Sequence, residues 1–162
     1  MKAIDIIHAA RRALGAVIQA FRFVLDGIRA GTLQPDFALL DALIEYITEV
    51  PDKLQHDHVQ GAHSTQALRE ALHQYQAAGT AGFSAFDALA RTCIDATWKH
   101  IDTEEGELLP LARQRLAPQD WAGIDAAFEA NKDPWSGATG EFRALFSRIV
   151  NRVPAPYGLG PA

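Results

Sequence analysis

Six histidines occur in this chain, and three of them interrupt apolar stripes at helical spacing. His8 stands in the register Ile4, His8, Arg11, Leu14, Ile18. His58 opens the register His58, Ala62, Thr65, Leu68, Leu72. His100 and Glu104 follow Cys93 and Ala96/Thr97 and precede Leu108 and Leu111. Side chains four apart on a helix lie one above the other, so His100 and Glu104 can reach one ion together. A lone core histidine is ordinarily satisfied by a backbone hydrogen bond, and by itself says little. Glu104 says more, because burying a carboxylate costs several kcal/mol unless it is paired, protonated or coordinated. Imidazole nitrogen with carboxylate oxygen and no thiolate suits iron, manganese or zinc. The pattern predicts a metal site built from His8, His58, His100 and Glu104.

The other reactive residue types fit ordinary roles. His63 and His73 fall off the third stripe and read as solvated, while His56 sits at a junction between helices. Cys93, the single cysteine, reads as a small apolar filler and excludes an internal disulfide or a cysteine-rich zinc finger. Glu70 and His73 have the Glu-x-x-His spacing of di-iron bundles, but such bundles need two copies and only one is present, off the core face. Trp98, Trp121 and Trp135 read as packing residues. Glu105 and Glu107 read as a solvated acidic edge, with Glu105 placed to support a metal ligand. No glycine-rich phosphate loop or nucleophile elbow occurs.

The elements that must position these residues are helices. Twenty-nine alanines and long stripes at 3.6-residue spacing argue for an all-α protein. The first helix carries Ile4, Ile7, Leu14, Ile18, Phe21, Leu25 and Ile28 and stops at Gly31, a left-handed cap. The second opens at the N-cap Asp36 and runs toward Pro51, and the third spans about Asp57 to Gln76. The fourth carries Phe86, Leu89, Cys93, His100, Glu104, Leu108 and Leu111, with Pro110 expected to bend it. Short helices are expected at Pro118 to Ala130 and Glu141 to Arg152. The expected architecture is an up-down four-helix bundle with short C-terminal helices over residues 1–152, followed by an extended tail over 153–162.

Composition narrows the functional classes. With 15 basic against 20 acidic residues, a net charge of -5 argues against nucleic acid. No run of about 18 apolar residues occurs and no signal-peptide core builds at the N-terminus, so a cytoplasmic protein without a membrane partner is expected. The acidic composition leaves a homodimer open.

The stretch His100-Ile101-Asp102-Thr103-Glu104-Glu105, followed by Leu109-Pro110, resembles the fourth-helix pattern of the hemerythrin-like cation-binding family. Leu116 to Ile124, with Ala127-Phe128, is similar to the segment that follows it there. His8 occupies the place of the family's first-helix ligand, and Asp57-His58-Val59-Gln60-Gly61 resembles the start of its third-helix motif. The resemblance implies a non-haem site with two irons joined by carboxylates and an oxygen bridge. His8, His58 and His100 would supply imidazole, and Glu104 would bridge or cap. It also implies binding or sensing of O2, NO or iron rather than turnover, with an oxidase or repair activity or a metal-free interaction bundle as alternatives.

The family's second His-x-x-x-Glu pair, which should follow Val50-Pro51-Asp52-Lys53-Leu54, is missing. Gln55-His56-Asp57-His58 comes at once instead. Either the hairpin tip is truly deleted, leaving two short helices opposite two long ones and at most one weakly held metal, or the 162 residues join across an omitted stretch. The second reading is preferred. It predicts no ordinary peptide geometry between about Leu54 and His58, where adjacent α-carbons should be about 3.8 Å apart.

Overall fold

The computed structural model describes the backbone of residues 2–54, 59–130 and 139–161, and side chains over 3–49, 65–126 and 142–161. Every regular element among them is helical. Helix α1 is Lys2–Ala30, α2 Phe37–Leu54, α3 Val59–Ala78 and α4 Phe83–Thr103. A 3₁₀ turn, Gly79–Gly82, joins α3 to α4, and a π-helical turn, Glu104–Leu108, carries α4 into α5, Leu109–Arg115. Helices α6, Pro118–Ala130, and α7, Thr139–Arg152, complete the set. The stretch from Gln55 to His58, on which the question of continuity turns, lies outside the described residues.

Local chemistry sets the boundaries. Gly31 ends α1 at φ +75°, a conformation that costs a residue with a Cβ. Asp36 caps α2: its Oδ1 accepts from the Leu39 amide at 3.0 Å. Gly82 lets α4 start hard against α3, where a Cβ would fall 2.7 Å from the Tyr75 α-carbon. The break after α4 begins at Glu104, ahead of the Pro110 bend that the sequence predicts. The Leu109 amide reaches back five residues to the Glu104 carbonyl. Proline has no N–H to give and its ring crowds the carbonyl four residues before it; widening the preceding turn relieves both.

Cross-helix pairs fix the topology. Along α1 and α4, Arg11 meets Glu104, Arg22 meets Asp95, Asp26 meets Arg91 and Arg29 meets Asp87. Partner numbers fall as α1 rises, so the two helices run antiparallel. Phe37 against Tyr75 and Asp41 near Arg69 give the same order for α2 and α3. Each of the four main helices packs on its two neighbours, with α7 laid along α2 and α6 against α1. The all-α bundle expected from the sequence is the fold observed.

One core fills this bundle. It is formed by Leu14, Ile18, Phe21 and Leu25 of α1, Leu40, Leu43, Ile44 and Ile47 of α2, Leu68, Leu72 and Tyr75 of α3, and Phe86, Ala90, Ile94 and Ile101 of α4. The α4 set corrects the predicted stripe. Leu89 and Cys93 are only partly buried, whereas Ala90 and Ile94 are fully covered. Both faces of α4 carry apolar residues, and packing against α1 and α3 selects the one turned by a single position. Leu108 and Leu111, predicted to be core, are 55% and 48% exposed. Length accounts for this. Helix α1 has 29 residues, whereas α2 and α3 have 18 and 20 and span only about 27 and 30 Å.

Residues 153–161 turn back on α7. Leu159 N–H donates to the Val150 carbonyl at 2.7 Å, and the Tyr157 ring packs on Phe23 at 5.1 Å.

Candidate metal centre

Topology brings the start of α1 and the end of α4 to one end of the bundle. The π turn there gains meaning from its position, since such insertions re-aim side chains and concentrate at functional sites. Glu104 opens it, three residues after the buried Ile101, and faces α1 with its side chain 14% exposed.

Two side chains engage this carboxylate, and two more lie beside them. Arg11 Nη2 donates to Glu104 Oε2, and His100 Nε2 lies 3.2 Å from Glu104 Oε1, so both oxygens are engaged. Arg11 Nη1 lies 3.9 Å from Glu105 Oε1, and His8 Nδ1 lies 3.6 Å from that same oxygen. Both are electrostatic contacts too long for hydrogen bonds. The Arg11 side chain is 9% exposed, and its Nη1 is buried with no hydrogen-bond partner among the described residues. The guanidinium therefore stands between two imidazole–carboxylate pairs, His100 with Glu104 and His8 with Glu105.

Of the four residues the sequence singles out, the structure joins His100 directly to Glu104. It places His8 on the same seam, with Glu105 as its nearest carboxylate. His58 lies outside the described residues. His100 is half-exposed, because the selected α4 face turns Ile101 inward in its place. The structure adds two residues. Glu105, which the sequence places on an acidic edge where it can support a metal ligand, has its Oε1 3.6 Å from His8 Nδ1. Arg11 pairs with Glu104, and its position one turn after His8 on an inward stripe is the sequence signal for it.

A second polar cluster occupies the opposite end of the α1–α4 seam. Asp87, its side chain 6% exposed, accepts from Arg29 and, at 3.0 Å, from Arg91 Nε; Arg91 Nη2 in turn donates to Asp26 at 2.6 Å. Burial works to lower the pKa of Arg91, but its hydrogen bond to Asp26 and the charge of Asp87 outweigh this and leave it raised.

The donors at the first end, imidazole nitrogen and carboxylate oxygen, fit iron, manganese or zinc in kind. Among the described residues no three His, Cys, Asp or Glu side chains are grouped to hold a metal. The described helices include none long and apolar enough to cross a membrane. Comparison with known sequences gives one family: the model of the hemerythrin HHE cation binding domain matches residues 7–112. The match contains His8, His58, His100 and Glu104 and ends before the Leu116–Phe128 run. No curated protein and no solved structure matches.

Proposed function

The chain belongs to the hemerythrin HHE cation-binding family, and from that premise we propose that it binds iron at the end of the bundle where α1 meets the π turn. His8, His58 and His100 supply imidazole nitrogen and Glu104 supplies the carboxylate. The observation that carries this reading is the nearly buried Glu104 carboxylate with His100 Nε2 at 3.2 Å, facing the helix that bears His8. Iron bound there contributes Lewis acidity and one-electron chemistry toward a small diatomic molecule, O2 or NO.

The chain's own residues hold and orient the site. Helical i, i+4 spacing keeps His100 and Glu104 on one line, and the apolar layer of Ile94, Ile101 and Leu14 limits water from the core side. His100 and Glu104 form the one His-x-x-x-Glu pair in the 162 residues, so the proposed site takes one metal; a two-iron centre needs ligands beyond this set.

One observation favours a second reading, a metal-free helical bundle: Arg11 already neutralises Glu104. Iron analysis decides between them. The protein, purified in air and reconstituted with ferrous iron, should hold close to one iron per chain and show charge-transfer absorption. Uptake below about a tenth of an iron per chain supports the metal-free reading.

A further inference from the structure

We propose that Arg11 is a built-in cation that competes with metal for Glu104, so that loading requires the guanidinium to leave the seam. This rests on the cation-binding reading above and adds a device to it.

The competition follows from the contacts. Arg11 lies three residues after His8, hence on the same face of α1, and its Nη2 takes one oxygen of the carboxylate proposed to bind metal. His100 Nε2 lies 3.2 Å from the other oxygen, so a cation approaching Glu104 must share the carboxylate with Arg11. A metal at bonding distance from Glu104 would stand against the guanidinium in a seam where Arg11 is 9% exposed and water screens poorly. The two positive charges therefore exclude each other.

The guanidinium is also incompletely held. Nη1 is buried without a hydrogen-bond partner among the described residues, and Glu105 Oε1 lies 3.9 Å from it. Arginine offers a planar fork of donors suited to paired acceptors, and here half of that fork is unused. Such a group is more easily displaced than a saturated one, and its long stem allows the charge to swing into solvent near the end of the bundle. Once it leaves, Glu104 and Glu105 are freed together, beside His100 and His8 respectively. The metal-free protein thus avoids a buried, unpaired carboxylate without a metal, at the cost of weaker affinity.

Anaerobic titration of the full chain with ferrous iron, and in parallel with cobalt(II) read by its visible absorption, tests this. Arg11→Gln removes the charge and should bind either metal at least tenfold more tightly than the parent, while its metal-free form melts at lower temperature. Arg11→Lys keeps a positive charge and should bind no more tightly than the parent, which separates charge from shape. Equal or weaker binding by Arg11→Gln, with the parent binding metal and Glu104→Ala failing to, overturns the competition and leaves the cation site standing. Absence of metal uptake by both the parent and Arg11→Gln overturns the site itself. Should Arg11→Gln not fold, Arg11→Met, which keeps an unbranched apolar side chain and removes the charge, replaces it: binding at least tenfold tighter than the parent upholds the competition, and parent-like or weaker binding overturns it.

Discussion

The two ends of the α1–α4 seam are built alike and finished differently. Each buries a carboxylate from α4 or its continuation, and each sets an α1 arginine against it. At the Arg29 end the arrangement is closed. Asp87 receives two guanidiniums, and Arg91 reaches on to Asp26. At the Arg11 end it is open. Glu104 receives one guanidinium and one imidazole, and an arginine nitrogen is left without a hydrogen bond among the described residues. Asp87 is the more deeply buried of the two carboxylates, yet its environment is complete without any ion. A buried acid is therefore not by itself a sign of metal. What sets the proposed site apart is histidine beside the acid together with incomplete satisfaction of the charges around it.

The strongest break of this comparison exchanges the two acids. Glu104→Ala should cut iron content by roughly tenfold or more while far-UV circular dichroism keeps the helical signal, because the bundle rests on apolar burial. Asp87→Ala should leave iron uptake near the parent value. Parent-like iron loading in Glu104→Ala would mean that the open end is not the site.

Stability should reverse the order. Asp87→Ala loses charge-assisted hydrogen bonds to two arginines and should cost about 2–3 kcal/mol, seen as a lower urea midpoint with unchanged slope. Glu104→Ala in the metal-free protein should cost less, about 1 kcal/mol, since Arg11 can turn to Glu105 or to water.

Tyr46 extends the contrast to a buried polar group without any partner among the described residues. It lies within the cluster of Phe142 and Phe146, and burial pushes its phenol well above the usual value. The unfolded phenol ionises near pH 10. Above that pH the unfolded chain gives up a proton that the folded one keeps, so the contribution is intact below about pH 10 and falls as pH rises. Tyr46→Phe should remove that alkaline decline and shift neutral-pH stability by no more than about 1 kcal/mol, measured by urea unfolding at pH 7 and 10.5.

The smallest effect belongs to the middle of the seam. Arg22 and Asp95 pair at 2.7 Å but both are exposed, so Arg22→Ala should change stability by less than about 0.5 kcal/mol. A larger loss there would show that the seam acts as one cooperative network and that its two ends cannot be judged separately.

Local sequence determined the helices, because their signals act within a few residues: Gly31 permits a left-handed cap, Asp36 holds the Leu39 amide, and the stripe from Leu14 to Leu25 has one apolar side. It also exposed His100 and Glu104 as a pair, since their spacing is fixed by the helix that carries them. Tertiary packing decided the rest. Helix α4 has two apolar faces, and only its neighbours could choose Ala90 and Ile94 over Leu89 and Cys93, leaving His100 half-exposed. Leu108 and Leu111 continue an apolar stripe in sequence, but burial needs a helix opposite, and they stand 55% and 48% exposed. The pairing of Arg11 with Glu104 joins residues 93 positions apart, and no local rule gives an arginine on one helix its partner on another until the two are packed side by side.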